Sequence, residues 1–317
     1  MASDAHLHRR ISCVRDARAA APIPGEVVWI DLDDPSDADL EEVGKNFSIH
    51  PLTIEDLQKF SQRAKAEEFD DYIYLVVFGA ADETDEDRVV EVHLLVGHDF
   101  VITVSRDRSL ELAKLHDNTD GRDDSVVGLL HAILDRLIDS WGPLLDELDS
   151  DIEALESRIA ESQLKGVELE LHDLRSLVGR INRLIHRESE VLTRLPALLR
   201  RLFGADGEEL PYFRDVLDHL LRLGESTDAM RDRIVGTFEL YMAAINNRQN
   251  LTMKQFTVIA GIFLPLSVVT GFFGMNFAWM VEHVDSGLSF LLLGVLLPVA
   301  IAAGLMALFF ARGLFRE

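Results

Sequence analysis

The chain has 317 residues, a formal net charge of −24 and a single cysteine, Cys13. A protein this acidic is not expected to bind nucleic acid or anionic lipid head groups through general electrostatics, whereas it attracts cations. One cysteine excludes an internal disulfide and favours a reducing compartment.

Residues 1–123 are predicted to form an N-terminal α/β domain in the cytoplasm. Strand-like runs rich in β-branched and aromatic residues alternate with helix-start signals. Ser36 or Asp37 is placed to cap the first helix, and the tight turn at 97–99 joins two strands. The pattern favours a mixed sheet flanked by helices. The predicted strands are 27–32, 72–78, 89–96 and 100–104, and the predicted helices are 37–45 and 51–57.

Residues 124–211 are predicted to form a charged helical hairpin. Large apolar residues of the first segment recur at three- and four-residue steps, which is the period of one helix face. Gly166 interrupts the pattern, and a second amphipathic helix follows over 171–199. Two such neighbouring helices pack antiparallel. The apolar positions of the first helix are Leu129, Ile133, Leu137, Trp141, Leu144, Leu148, Ile152, Leu155 and Ile159.

A stalk helix is predicted over 212–255. No proline occurs from Tyr212 until Pro265, so one helix can run from the soluble part into the apolar part of the chain. About 60 residues at roughly 1.5 Å each give a length of roughly 90 Å. A helix of that length needs partners, most simply copies of the same chain.

Two uncharged segments are predicted to cross a membrane as transmembrane helices. The first, 256–273, has 18 residues and the second, within 288–311, has 23 residues from Leu288 to Phe310. Both lengths suffice for a hydrocarbon core of roughly 30 Å. The competing interpretation is a pair of buried helices in a large soluble protein. It is disfavoured because two uncharged runs of this length rarely share one soluble domain.

Basic residues next to these segments predict the orientation in the membrane. The connecting loop, 274–287, contains no Lys or Arg but carries Glu282 and Asp285. The positive-inside rule therefore places the loop outside and both chain ends, including the tail 312–317, in the cytoplasm. The protein is expected to be a multi-pass protein of the cytoplasmic (inner) membrane. The flanking basic residues are Arg248, Lys254, Arg312 and Arg316.

A stripe of small or weakly polar residues follows the first span at heptad steps. Small residues serve tight packing between membrane helices, and that is one interpretation. We favour a pore lining, because a packing seam has no need for polar residues at both of its ends. The same steps toward the cytoplasm reach Glu239, Asp232 and Glu225, which would concentrate cations at the inner mouth. The stripe, called here the pore stripe, comprises Asn250, Met253, Thr257, Ala260, Leu264, Ser267, Gly271 and Gly274.

An uncharged lining suits a hydrated divalent cation. Mg²⁺ sheds its water reluctantly and prefers octahedral oxygen geometry. Amides and backbone carbonyls can hold such an ion through its water shell without binding it too tightly for release. Gly274 allows a turn with bare carbonyls, and Asn276 supplies an oxygen beside them.

With the sequence Gly274-Met275-Asn276 between two C-terminal spans, the chain resembles the CorA family of divalent-cation transporters. The three residues correspond to that family's signature motif, and Glu282 follows in the external loop. Similarity to the family extends over nearly the whole chain. The other similar stretches are 50–56, 69–72, 212–219, 250–254 and 262–266.

This resemblance implies a funnel-shaped homopentamer with five first spans around one pore. Gly274, Met275 and Asn276 would form the selectivity filter. Members of the family sense intracellular divalent ions between neighbouring cytoplasmic domains. The resemblance places Asp215 at such a sensing site, with Asp218 nearby and Asp85 and Asp87 of the acidic loop 82–87 as partners. Bound ions would bridge carboxylates and hold the pore shut.

Departures from the family pattern bear on the transported ion. Phe273 replaces a Tyr, Val281 replaces a Pro, and the C-terminal tail carries only Arg312 and Arg316 where a denser basic cluster is usual. The glycine-rich sequence typical of the zinc-transporting ZntB branch does not follow Asn276, which favours Mg²⁺, with Co²⁺ or Ni²⁺ also considered. Two alternatives stay open: a Zn²⁺ transporter of the ZntB type, proton-coupled or not, and a non-conducting membrane-anchored scaffold. An enzyme is disfavoured, because no phosphate-binding glycine loop, helical metal-ligand histidine pair or nucleophile elbow occurs.

Overall fold

A computed structural model describes residues 9–15, 25–81, 88–106, 110–121, 123–204, 210–275, 278–283 and 286–312. The chain divides into two compact units. The N-terminal unit comprises Met1–Arg158 and Lys165–Phe238, and the C-terminal unit comprises Ile159–Leu164 and Glu239–Glu317.

A seven-stranded mixed sheet forms the centre of the N-terminal unit. Its strands lie in the order β3-β4-β5-β6-β2-β1-β7. β2 pairs in parallel with β1 and β6, and the remaining pairs are antiparallel. The predicted mixed sheet is therefore confirmed. The strands are β1 (Arg9–Val14), β2 (Glu26–Asp33), β3 (Lys65–Glu68), β4 (Tyr72–Ala80), β5 (Val89–Gly97), β6 (Phe100–Ser105) and β7 (Asp123–Asp124).

The sequence predicted four of these strands and missed three. β2, β4, β5 and β6 are rich in β-branched residues and largely buried, which is what the pattern indicated. The missed strands lie at the two sides of the sheet. β3 reads Lys-Ala-Glu-Glu and β7 has two residues, so neither carries an apolar signal. Charged and short strands are a common way to protect a sheet edge.

Helices cover both faces of the sheet. On one face Trp29 contacts His116 of α3 at 4.9 Å between ring centroids, and Gly79 approaches Leu137 of α4. On the other face Phe100 packs edge-on against Phe47, and the Tyr72 hydroxyl accepts the His50 N–H at 3.2 Å. The helices of this part are α1 (Asp37–Asn46), α2 (Pro51–Gln58), α3 (Leu110–Thr119) and α4 (Val126–Asp139).

Ser36 caps α1, which resolves the choice between Ser36 and Asp37. Its hydroxyl accepts the Asp39 N–H at 3.3 Å, and the Asp39 carboxylate accepts the Ser36 N–H at 3.0 Å. This reciprocal capping box satisfies two backbone donors that the first turn would otherwise leave unpaired.

The predicted first helix of the hairpin is wrong in one respect, because it is two helices, α4 and α5 (Trp141–Ala160). Ser140 separates them: its hydroxyl accepts the Ala80 N–H at 2.8 Å and donates to the Leu137 carbonyl at 2.5 Å. Pro143 has no N–H to donate to the Asp139 carbonyl, so the regular helix ends there. All nine predicted apolar positions are nevertheless buried, each at most 5% exposed.

The second helix of the hairpin is α6 (Val167–Phe203), with left-handed glycines at both ends. Gly166 has φ +82° and Gly204 has φ +62°, a backbone region that glycine occupies without steric cost. α6 contacts β3 and β4 and buries one carboxylate, that of Glu188. Glu188 Oε1 accepts the Phe78 N–H at 3.3 Å, while Oε2 has no hydrogen-bond partner in the described part of the chain. Burial raises the pKa of Glu188 to about 8.

The long helix predicted to reach the apolar segment is present as α7 (Leu210–Phe273), 64 residues in one element. After it come α8 (Ala278–His283), α9 (Gly287–Ser289), a π-helical turn (Phe290–Leu296) and α10 (Leu297–Ala311). Pro298 follows the wide turn and cannot donate to a carbonyl one turn earlier, which suits a π-helical segment there.

Among the residues that the structure describes, two helices are long and apolar enough to cross a membrane, Pro211–Phe273 and Gly287–Ala311. Their most apolar windows are almost unburied within the chain, at 6% and 0%. Helices of that kind are not core helices of a soluble protein, because such helices bury their apolar face. The fold is therefore an N-terminal α/β part with long helices, followed by two apolar C-terminal helices.

Candidate ion pathway

The pore stripe lies on an exposed face of α7. Met253 is 64% exposed and Leu264 is 66% exposed. Asn250, Thr257, Ser267 and Gly271 are exposed as well. No residue that the structure describes covers these side chains, so among those residues the face is open to other copies, lipid or water.

A different face of the same helix turns toward the last span, Gly287–Ala311. A methyl group added at Gly261 would lie 2.7 Å from the Phe309 ring. Seven half-buried residues share this face. At about 100° per residue their mean direction is roughly 160° from that of the pore stripe. The half-buried residues are Val258, Gly261, Ile262, Pro265, Leu266, Val269 and Phe273.

The hydroxyl groups of the pore stripe present oxygen lone pairs rather than hydrogens. Thr257 donates its hydrogen to the Met253 carbonyl at 2.8 Å, and Ser267 donates to the Phe263 carbonyl at 2.8 Å. With the donor used inside the helix, each oxygen keeps acceptor capacity for a water molecule. Acceptors of this kind can hold the water shell of a cation.

The signature motif begins where α7 ends. Gly274 donates to the Thr270 carbonyl at 2.9 Å, and Met275 donates to the Phe272 carbonyl at 3.3 Å. A Cβ at position 274 would lie 3.1 Å from the Thr270 carbonyl oxygen, so the close turn favours glycine. Met275 is 40% exposed, and Glu282 is exposed in α8. Asn276 lies outside the described residues.

The acidic heptad steps of α7 are exposed in both units. Glu225 and Asp232 are exposed in the N-terminal unit, and Glu239 is exposed in the C-terminal unit. The buried side of α7 in the N-terminal unit is a separate apolar seam, so these carboxylates are not used for packing within the chain. The seam comprises Phe213, Val216, Leu220, Leu223, Met230 and Ile234.

Asp215 and Asp218, the two predicted sensing residues that the structure describes, do not form a metal site with other described side chains. Asp215 and Asp218 are exposed on α7. No group of three or more His, Cys, Asp or Glu side chains placed to hold a metal ion occurs among the described residues. Asp85 and Asp87 fall outside them. A site of the predicted kind would need ligands from the acidic loop or from a second chain.

One acidic pair near this region was missed by sequence reasoning. His219 lies one turn after Asp215, and its Nδ1 is 3.2 Å from Asp139 Oδ1 of α4. Desolvation, followed by the nearby charge of Asp139, raises the pKa of Asp135. The four-residue spacing of Asp135 and Asp139 on one helix was the available signal.

Comparisons with known proteins give a consistent result. The profile of a family described as CorA-like Mg²⁺ transporter protein matches residues 24–312. The cobalt/magnesium transport protein CorA of Thermotoga maritima is 30% identical over 270 residues, covering 80% of this chain and 74% of that protein. The protein of that name from Methanocaldococcus jannaschii is 23% identical over 264 residues, covering 80% and 81%.

A solved structure extends the similarity to the whole fold. The complete structure of the CorA magnesium transporter from Methanocaldococcus jannaschii superposes with a TM-score of 0.78 at 21% identity. The superposition covers 91% of this chain and 92% of that one. The arrangement of an α/β part, long helices and two apolar C-terminal helices is therefore shared.

Proposed function

Because the chain belongs to the family of CorA-like Mg²⁺ transporter proteins, we propose that five copies of it form a channel for Mg²⁺. The family consists of membrane proteins that transport divalent cations, and this chain supplies two helices apolar enough to span a membrane. In the proposal, 256–273 is the span next to the pore axis and 288–311 is the span outside it. The protein lies in the inner membrane of the cell, with both chain ends in the cytoplasm.

The observation that supports the pore is the separation of two faces on α7. One face is half-buried toward the last span, where Gly261 meets Phe309. The pore stripe lies roughly 160° away on the helix and is exposed. Around a symmetry axis, the exposed stripe of each copy would face the other four across a water-filled space, with the last spans outside.

Selectivity is assigned to the external end of this space. Asn276 would form a ring of amide oxygens there, supported by the carbonyl groups of Gly274 and Met275. Glu282 in the loop would attract cations toward the ring. Below it the uncharged stripe would let a hydrated ion pass without tight binding. This favours Mg²⁺, and Co²⁺ is the second ion to consider, since the Thermotoga maritima relative is described as a cobalt/magnesium transport protein.

Regulation is assigned to carboxylates of the N-terminal unit. Asp215 and Asp218 are exposed on α7 and lack a third ligand within the described part of their own chain. Partners from the acidic loop, Asp85 and Asp87, would come from a neighbouring copy. An ion held between two copies would restrain their movement, and its loss would leave like charges facing each other.

Ion flux into liposomes tests the transport proposal directly. Purified protein should move Mg²⁺, and Co²⁺, Ni²⁺ and Zn²⁺ should compete less well. N276A should abolish or scramble this preference because the amide ring is lost, whereas N247A, an exposed asparagine off the stripe on the same helix, should not. No flux of any ion would favour the non-conducting scaffold, and Zn²⁺ flux driven by a pH gradient would favour the zinc alternative.

Cysteine labelling tests the stripe itself. With Cys13→Ser as background, T257C and S267C should react with a water-soluble thiol reagent and reduce flux. F263C, at a position 70% exposed on another face, should react slowly because lipid surrounds it. Equal protection of all three positions would remove the water-filled axis from the proposal.

Asp215 has its own test. D215N should weaken inhibition of flux by internal Mg²⁺, because a bridging carboxylate is lost, while flux at zero internal Mg²⁺ should persist. Unchanged inhibition would show that sensing occurs elsewhere, and it would leave the conduction proposal intact.

A further inference from the structure

A groove in the C-terminal unit lies beside the start of the uncharged part of α7. It encloses about 520 Å³, within the range of small-molecule sites. The loop after α5 forms one wall through Leu164, and a stretch of α7 forms the rest. The α7 residues lining it are Tyr241, Ile245, Arg248, Gln249, Thr252, Met253 and Phe256.

The loop that closes the groove is held in place by buried side chains. Ile159 is 5% exposed, and Tyr241 of α7 is 8% exposed. Ser162 adopts a left-handed conformation with φ +62°, and its N–H donates to the Ile159 carbonyl at 3.0 Å. The loop therefore has a defined turn conformation beside the buried end of α5, and Tyr241 is buried on the α7 side of the groove.

The lining combines an apolar wall with one positive charge. Leu164, Ile245 and Phe256 provide the apolar surface, and Phe256 is 64% exposed. None of the eight lining residues is acidic, although the chain as a whole carries a net charge of −24. Arg248 forms no ion pair with any described residue. A guanidinium without an ion-pair partner, next to an apolar wall, fits a ligand that combines an anionic group with an apolar part.

The groove and the pore stripe share Met253 but face different directions. At about 100° per residue, the mean direction of the α7 residues of the groove lies roughly 80° from that of the pore stripe. Along the helix, the groove extends from Tyr241 past Arg248 to Phe256 at the start of the uncharged span. Basic side chains at that level meet the head groups of a bilayer, while apolar side chains beyond it meet acyl chains.

We propose that this groove binds one anionic phospholipid of the inner leaflet. Its phosphate would pair with the Arg248 guanidinium, with Gln249 as an additional donor, and an acyl chain would lie along Thr252 and Phe256, which follow Arg248 toward the uncharged span. Recognition is local, through one unpaired cation, so it does not require a basic protein. The inference rests on the membrane placement in the proposed function, but not on conduction.

Lipid binding to the full-length protein in detergent micelles tests the proposal. Native mass spectrometry should show tighter binding of dioleoylphosphatidylglycerol than of dioleoylphosphatidylcholine. R248Q should weaken phosphatidylglycerol binding about tenfold, the scale of one charge-assisted contact, and R248K should retain most of it. R222Q removes the same charge from an exposed position of the same helix and should change nothing. Equal losses in R248Q and R222Q, or equal binding of both lipids, would overturn the proposal.

A second measurement separates a lipid from a neighbouring copy as the occupant. F256C in a Cys13→Ser background can carry a bimane fluorophore at the end of the groove that adjoins the uncharged span, where Phe256 is 64% exposed. Brominated phosphatidylglycerol should quench it more than brominated phosphatidylcholine, and R248Q should remove the difference. A fluorophore shielded from both lipids would show that a second copy fills the groove. Neither measurement involves ion flux, so failure here is distinct from failure of the channel proposal.

Discussion

The two units differ in how far they bury their large apolar side chains. In the N-terminal unit Leu130 and Trp141 are fully buried by their own chain. In the C-terminal unit Phe256 is 64% exposed and Phe263 is 70% exposed. Burial stabilises by about 25 cal/mol per Å² of apolar surface. The first unit obtains this stabilisation from its own residues, whereas the second leaves these large apolar side chains exposed.

The largest expected effect comes from exchanging a core residue of the N-terminal unit for a small one. L130A should lower the free energy of unfolding of this unit by about 2–5 kcal/mol, because removing the buried side chain leaves a cavity in the core. F263A should change the same transition by less than about 0.5 kcal/mol, because Phe263 packs against little of its own chain. Fluorescence of the buried Trp29 and Trp141 during urea unfolding measures both. Equal losses in the two variants would break the contrast between the units.

The buried carboxyl of Glu188 gives the next effect, and it depends on pH. The pKa of Glu188 is raised by burial from 4.5 to about 8 in the folded protein. The neutral carboxyl makes its full contribution to stability below pH 4.5. Between pH 4.5 and 8 this contribution falls, because the carboxyl ionises in the unfolded state and stays protonated in the folded state. Above pH 8 the carboxyl ionises in both states, and stability no longer changes with pH through this group. E188Q keeps an oxygen to accept the Phe78 N–H but cannot ionise, so it should remove this decline. Between low and high pH, the wild type should therefore lose about 1–3 kcal/mol of unfolding free energy relative to E188Q, which is the cost of burying a polar group without full hydrogen bonding.

Urea midpoints at several pH values between 4.5 and 9 provide the measurement for Glu188. E190Q is the matched control, since Glu190 is exposed on the same helix. Parallel pH profiles for the wild type and E188Q would mean that the carboxyl is charged or hydrated in the folded unit. Water would then reach the interior of the N-terminal unit at Glu188.

A third effect, similar in size to that of Glu188, probes the contact between the two apolar helices. G261A places a methyl group 2.7 Å from the Phe309 ring, and overpacking of that size costs about 1–3 kcal/mol. G304A adds the same methyl group where nothing lies within 4 Å, and should leave stability unchanged or raise it by up to about 1 kcal/mol. Thermal denaturation in detergent, followed by far-UV circular dichroism, compares them. A G261A variant as stable as G304A would show that the last span does not pack at this glycine.

Much of the local structure could be predicted from the residues. The capping box at Ser36 and the buried strands β2, β4, β5 and β6 carry strong local signals, as do the glycines that bound α6. The uncharged lengths at 256–273 and 288–310 identify the spans, because a bilayer admits few charges. For the candidate pathway, periodicity selected the stripe from Asn250 to Gly274. Its role as a pore lining stays a prediction.

Other features depend on contacts between segments that are distant in sequence, and the periodicity of one segment does not predict such contacts. The edge strands β3 and β7 exist because neighbouring strands offer free backbone groups to them, not because of their own residues. The predicted continuous helix across Ser140 was wrong because the Ser140 hydroxyl satisfies the Ala80 N–H and Pro143 removes a helical donor. The acidic pair Asp135 and Asp139 could be seen as a spacing, but its approach to His219 could not.

By itself, the sequence determined which segments are apolar, where helices start and stop, and that the chain meets a membrane. These properties depend on residues within a few turns of each other and on their transfer from water to lipid. Only the tertiary structure decided that Glu188 is buried beside Phe78, that Gly261 faces Phe309, and that Leu164 and Arg248 border one groove. Each of these contacts joins segments distant in sequence, and packing selects them because the interior admits one arrangement of shapes.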